Sequence, residues 1–186
     1  SIEFALLTMA AMQARAPIAP VSPAYSVMSQ DHAKLRYVFD LIKPGMVFVQ
    51  NGEIYARALA ALDLEGVLLV HVDKAPPERQ SLPWSELIAT PPTAAVAASV
   101  ERIEPKTTGK FLFTSGSTGM PKAVINTQEM MCANLAMGQM SRSRKPDDPS
   151  PVVLDWLPWN HTMGGNATFQ GNLAEGGTTY IDDGKP

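Results

Sequence analysis

The chain has 186 residues, 45% of them hydrophobic and 18% charged, with a formal net charge of −3. That length and apolar share are those of a globular chain with a real core, and the mildly acidic balance offers no electrostatic basis for nucleic acid as a partner. The single cysteine, Cys132, excludes an internal disulfide and points to a reducing, cytoplasmic compartment, and neither a secretory leader nor an apolar run of the ~18 residues a membrane span needs is read.

Taken in order, residues 2–15 have helical apolar spacing, and the helix is expected to end near Arg15, before Pro17. Residues 18–21 read as a short extended piece among prolines. A helix is predicted over 30–43, with Ser29 as N-cap, Asp31 in the first turn, Leu35, Val38, Phe39 and Ile42 on one face, and Pro44-Gly45 as its stop. A continuous apolar strand follows over 46–49, then a helix over 54–62 and a second apolar strand over 66–70. Strands apolar on both faces and separated by a helix predict an α/β fold with a largely parallel sheet flanked by helices, joined by a right-handed crossover. Short helices are read around 84–89 and over 93–101, in a stretch rich in proline and alanine.

The next segment is Phe111-Leu112-Phe113-Thr114-Ser115-Gly116-Ser117-Thr118-Gly119-Met120-Pro121-Lys122. It opens as a buried strand, breaks into hydroxyls and glycines, reaches a lysine, and continues as a second strand, Ala123-Val124-Ile125. Such a loop suits a phosphate chain. Gly116 and Gly119 allow positive φ and close approach, and successive N–H groups form an anion-binding concavity. Thr114, Ser115, Ser117 and Thr118 add hydroxyl donors, and Lys122 adds a compact positive charge. It is not a Walker loop. Pro121 precedes the lysine and has no N–H, Ala123 follows it, and the chain goes on as a strand rather than a helix.

Beyond the loop, Asn126 or Thr127 is expected to cap a helix carrying Glu129 in its first turn. Met130, Ala133, Met137 and Met140 fall on one stripe, read as core filling rather than a cofactor surface, and Cys132 reads as a buried thiol. Residues 141–151 read as a surface loop, in which Arg142, Arg144 and Lys145 are more simply solvated than ligand-binding. A strand over 152–154 leads into Asp155-Trp156-Leu157-Pro158-Trp159-Asn160-His161-Thr162-Met163-Gly164-Gly165-Asn166. Ligand sites of open α/β sheets lie beyond the carboxyl ends of strands, where this segment falls. Gly164-Gly165 allows close approach, and Asn166 is placed to open the next helix. No zinc-type ligand spacing surrounds His161 and no metal-binding residues are assigned. A last strand over 178–181 runs into a turn at Asp182-Asp183-Gly184.

The stretch from Ser115 to Lys122 resembles the ATP loop of the adenylate-forming (AMP-binding) superfamily, with Ala123 where glycine is usual. Pro158-Trp159-Asn160-His161 with Gly164 resembles that superfamily's second motif, which borders the carboxylate substrate. The longer stretches 111–127 and 155–166, with 20–26 and 180–184, are similar to feruloyl-CoA synthases and their acyl-CoA synthetase relatives. The resemblance implies the large N-terminal domain of an acid–thiol ligase, with ATP, Mg²⁺ and coenzyme A as the small molecules used. A carboxylate attacks the α-phosphorus of MgATP, giving an acyl adenylate and pyrophosphate. The thiol of coenzyme A then displaces AMP. Thr114, Ser115, Gly116, Ser117, Thr118, Gly119 and Lys122 would hold the nucleotide. Trp159, His161, Met163, Gly164 and Gly165 would line the acid pocket. Lys122 and His161 are the implied catalytic positions, His161 as a residue of the substrate site and not a general base.

The same resemblance implies parts not found in these residues: a glutamate motif for adenine and Mg²⁺, a ribose-binding aspartate, a hinge, and a small C-terminal domain with its lysine. Both ends read as cut, since Ser1 leads straight into a helical pattern. One incomplete AMP-binding domain is therefore expected, inactive in isolation. The acid expected is hydroxycinnamate-like. Other readings are an aliphatic acyl-CoA ligase, a domain that loads a carrier-protein thiol, and a noncatalytic nucleotide-binding relative. A P-loop kinase is the weakest, because Pro121 and the following strand contradict its geometry.

Overall fold

The computed structural model describes residues 1–114, 119–141 and 147–182. Its elements in chain order are α1 (Ile2–Gln13), a single 3₁₀ turn (Pro23–Tyr25), α2 (Ala33–Ile42), β1 (Met46–Asn51), α3 (Ala56–Ala60), β2 (Leu68–Asp73), β3 (Leu82–Pro83), α4 (Trp84–Ala89), α5 (Ala94–Val100), β4 (Thr108–Thr114), β5 (Lys122–Thr127), α6 (Gln128–Ser141), β6 (Val152–Asp155), a π-helix (Met163–Gln170), α7 (Gly171–Ala174) and β7 (Thr178–Ile181). The class is α/β, as the alternation of apolar strands and helices predicts.

The first sheet is parallel, ordered β1-β2-β3, with Val47 opposite Leu69 and Phe48 opposite Val70. Two apolar clusters that share Leu64 lie at this unit, and the second of them includes the strands. Leu35, Ala58 and Leu62 pack with Val21, Tyr25, Phe39 and Leu64. Val49, Leu59 and Leu69 pack with Val47, Tyr55 and Leu64. Helix α2 begins three residues later than its spacing predicts: its N-cap is His32, left-handed at φ 53° and without a side-chain cap bond, rather than Ser29, because the Ser29 and Asp31 side chains turn the chain just before it. Ser29 Oγ accepts from the His32 N–H at 3.0 Å, and Asp31 Oδ1 accepts from the Ala33 N–H at 3.1 Å. That bond holds the Asp31 carboxyl below its ordinary pKa. The helix predicted over 54–62 is shorter, since Asn51 Oδ1 accepts from the Ile54 N–H at 3.1 Å and turns the chain before α3 starts.

Strands β4 and β5 form an antiparallel hairpin, with a register shift at its far end between Thr108 and Lys110. The extended piece at Ile18 joins the free edge of β4. Its N–H donates to the Gly109 carbonyl at 3.1 Å, and its carbonyl accepts from the Phe111 N–H at 2.8 Å. Strands β6 and β7 form a parallel pair through the π-helix and α7. Aromatic rings link the units: Phe4 of α1 lies 6.3 Å from Phe48 of β1 and 6.0 Å from Trp159, and Phe48 meets Trp84 edge-on at 5.9 Å.

Helix α6 corrects the methionine reading. Met130, Met137 and Met140 are exposed, at 58%, 61% and 88%, and so are Ala133 and Cys132. The buried residue is Met131, with Leu135 and Gly138 half-buried on the same side. The inward stripe is thus one position, or ~100° of helix, away from the one the methionines mark. Thr127 supplies the cap, accepting from the Met130 N–H at 3.3 Å. Of the surface-loop expectation over 141–151, residues 142–146 with Arg142, Arg144 and Lys145 lie outside the described residues.

Candidate active site

The hairpin carries the first motif at its open end. Thr114 closes β4 directly opposite Lys122, which begins β5. Ser115, Gly116, Ser117 and Thr118 lie outside the described residues. Gly119 has φ +86°, in the left-handed region where a Cβ is strained. Pro121 is fully buried and anchors the return of the chain, while the Lys122 side chain is exposed. The hairpin register therefore sets a cation at the mouth of the loop, with the proline as its footing.

The second motif is organised by Asp155, the last residue of β6 and 3% exposed. Its Oδ1 accepts from the Leu157 N–H at 3.1 Å and its Oδ2 from Trp159 Nε1–H at 2.7 Å. A carboxylate with two N–H donors turns the chain sharply out of the strand. The Trp159 indole is stacked on Phe169 of the π-helix at 4.4 Å and on Phe4. The His161 N–H donates to the Pro158 carbonyl at 3.1 Å, and the His161 carbonyl accepts from the Gly165 N–H at 2.9 Å. Its Nδ1 accepts from the Met163 N–H at 3.3 Å, which fixes the ring at the start of the π-helix with the side chain exposed. Met163 is exposed beside it, at 58%.

Gly164 and Gly165 are both buried against their own turn. A Cβ at Gly164 would meet the Pro158 carbonyl oxygen at 2.6 Å, and one at Gly165 the Trp159 carbonyl oxygen at 2.5 Å. The glycine pair thus makes the turn from Pro158 into the π-helix possible. Asn166 does not open a helix. It lies inside the π-helix, 6% exposed, with its amide turned inward.

The two motifs meet through Lys110, a residue that motif reading passes over. Its side chain is 2% exposed, and Nζ donates to Asn166 Oδ1 at 2.8 Å and to the Gly165 carbonyl at 3.4 Å. Asn166 Nδ2 donates to Asn126 Oδ1 at 2.9 Å, and Asn126 Nδ2 to the Val124 carbonyl at 3.0 Å. Burial lowers the Lys110 pKa from 10.5 to about 8. The one available sequence signal was a lysine set against the apolar run that begins at Phe111.

A groove of about 260 Å³ lies elsewhere, between α6 and α7, lined by Leu135, Met137, Gly138, Ala167 and Gly171, and it holds none of the expected site residues. Among the described residues no three His, Cys, Asp or Glu side chains converge as a metal site would, and no helix is long and apolar enough to cross a membrane.

Comparison with known proteins identifies the family and the fold. The family model described as AMP-binding enzyme matches residues 1–186. A sulfoacetate–CoA ligase of Cupriavidus necator is 32% identical over 151 residues, 80% of this chain and 27% of the ligase. In fold, the chain superposes over its whole length on ATP-bound MatB from Rhodopseudomonas palustris, with TM-score 0.67 and 22% identity, covering 34% of that protein. It matches a red-emitting luciferase of Phrixothrix hirtus with TM-score 0.71 and 16% identity over 97% of this chain and 34% of the luciferase. It thus spans between a quarter and about a third of the length of these relatives. With the family model matched from the first residue to the last, the chain belongs to the AMP-binding enzyme family.

Proposed function

We propose that the protein carrying this chain is an ATP-dependent acid–thiol ligase that works through an acyl adenylate. The observation that carries the reading is the β4–β5 hairpin, which sets Lys122 opposite Thr114 at the mouth of a hydroxyl- and glycine-rich loop, in a chain whose family is that of AMP-binding enzymes. A carboxylate oxygen of the acid attacks the α-phosphorus of MgATP, the bond to the β-phosphate breaks, and pyrophosphate leaves. The thiol of coenzyme A then attacks the acyl carbon and AMP leaves with the bridging oxygen. Thr114, Ser115, Gly116, Ser117, Thr118, Gly119 and Lys122 bind the triphosphate, and Lys122 offsets the charge that moves onto the leaving pyrophosphate. Magnesium enters with the nucleotide as MgATP. Trp159, His161, Met163, Gly164 and Gly165 shape the acid site, with His161 facing the substrate and not acting as a base. The chain by itself, spanning between a quarter and about a third of its relatives' length, is expected not to turn over.

The resemblance of residues 111–127 and 155–166 to feruloyl-CoA synthases supports an aromatic, hydroxycinnamate-like acid. A second reading is a short anionic acid, favoured by the likeness to the sulfoacetate–CoA ligase. ATP–pyrophosphate exchange by the protein that carries this chain, with ferulate, other hydroxycinnamates, benzoate, fatty acids and sulfoacetate offered in turn, separates them. Exchange with one aromatic class is the expected result. Lys122→Ala is expected to lower that exchange by roughly 10²–10³-fold, as loss of one transition-state charge contact does, with the fold intact because the side chain is exposed. No exchange with any acid, from a protein that still binds ATP, overturns the reading in favour of a noncatalytic relative.

A further inference from the structure

Among the described residues Lys110 is the one lysine whose side chain is enclosed, and the chemistry proposed above does not use it. An ammonium taken out of water is costly unless a carboxylate and further hydrogen bonds compensate it. Among the described residues no carboxylate lies within 4.0 Å of it. It is held by two neutral oxygens, of Gly165 and Asn166, and the pKa lowered to about 8 reports that burial. Packing alone asks for an apolar side chain, as Leu112 supplies two residues further along the same strand. What the lysine adds is direction: three N–H donors on a long stem, reaching from β4 into the first turn of the π-helix.

The acceptors are specific. Gly165 is the residue whose missing Cβ lets the helix sit on the Trp159 carbonyl, and its N–H already bonds the His161 carbonyl. Asn166 uses its oxygen for Lys110 and its N–H₂ for Asn126 on β5, so its amide orientation is determined from both ends. The network therefore bolts one turn, which carries Trp159, His161 and Met163, onto both strands of the hairpin that carries Thr114 and Lys122. The helix so held is π rather than α, a rare geometry that is frequent at functional sites.

We propose that Lys110, acting through Asn166 and Asn126, is a positioning residue that holds residues 158–166 in register with the β4–β5 hairpin, so that the acid site is set relative to the nucleotide loop. This rests on the acid–thiol ligase reading for its catalytic meaning, while the tie itself is a property of the chain.

The test uses Lys110→Met, Asn166→Ala and the double variant, with Asn126→Ala opening the far end of the network should Lys110→Met fail to fold. Deuterium uptake at residues 161–170 is expected to rise about tenfold in each single variant, while residues 68–73 of β2 exchange as in the unaltered protein. In ATP–pyrophosphate exchange the KM for the acid is expected to rise about tenfold with the KM for ATP changed less than about twofold, and the double variant to be no worse than the poorer single one, as coupled residues behave. Unchanged uptake overturns the tie, and so does an equal rise in β2, which marks general loosening. Acid and ATP KM rising together, or single effects that multiply in the double variant, overturn the positioning role. If the unaltered protein exchanges pyrophosphate with no acid, the ligase reading falls and the uptake result decides the tie by itself.

Discussion

Around β1 and β2 the chain is held by Leu35, Val49, Ala58, Leu59, Leu62 and Leu69, all apolar and all buried. Around β4 and the π-helix it is held by buried polar residues: Lys110, Asn166 and Asn126, joined by bonds of 2.8 and 2.9 Å, and separately Asp155, which holds Trp159 at 2.7 Å. Apolar burial is non-directional and stabilises in proportion to area. A buried polar network contributes little net stability and is costly when broken, but it fixes orientation. The first unit is thus built to be stable, and the second to hold the segments on either side of a candidate site at a set angle.

Breaking the apolar unit gives the largest loss of stability. Leu59 is 2% exposed in the cluster with Val49 and Leu69. Leu59→Ala is expected to lose about 2–5 kcal/mol in urea unfolding. A loss below about 1 kcal/mol, the scale of an ordinary surface change, would mean that this cluster is not the scaffold.

The polar unit answers to pH instead. Lys110 has a folded pKa of about 8 against 10.5 unfolded, so between these values the unfolded chain holds more protons than the folded one. Its contribution to stability therefore rises with pH through that window, and is flat below it, by roughly 3 kcal/mol at most. Urea midpoints at pH 7, 9 and 10.5 measure this, and Lys110→Met is expected to flatten the slope. A slope that survives the substitution assigns the effect to other groups.

A smaller effect is expected at the exit from β6. Asp155→Ala removes the acceptor of Trp159 Nε1 and of the Leu157 N–H. About 1–3 kcal/mol is expected to be lost, together with a shift in tryptophan emission as the indole N–H loses its partner. The smallest belongs to the exposed pair Lys74–Glu53, at 2.8 Å with both side chains more than half exposed. Lys74→Ala should leave the urea midpoint where it was, since such surface pairs contribute little. A clear drop would show that the first unit also leans on charge.

The same division explains which parts of the molecule were legible. The face Leu35, Val38, Phe39 and Ile42 of α2, the strands at β1, β2, β4, β5, β6 and β7, and the hydroxyl- and glycine-rich loop follow from local pattern, because period and turn chemistry are written residue by residue. The stripe of α6 was misread because which side of a helix faces inward is decided by what packs on it. A Cβ at Gly109 would meet Met131 Cε at 2.5 Å, so Met131 occupies the space that this glycine leaves on β4. Asn166 escapes local pattern for a related reason. As a free residue it is a good cap, but 56 residues earlier in the chain stands the lysine that claims its oxygen.

By itself the sequence determined the α/β class, the hairpin with its loop and cation, and the likeness to AMP-binding enzymes, since each rests on neighbours within a few turns of chain. Only the tertiary structure decided that Trp159 stacks between Phe4 and Phe169, that the glycine pair serves its own turn, and that Lys110 joins the two motifs. The Phe4 and Lys110 contacts join segments far apart in sequence, and the glycine contacts exist only once the chain has turned out of β6. A buried charge and its acceptors leave no period in a strand, so their partnership exists only once β4, β5 and the π-helix are packed together.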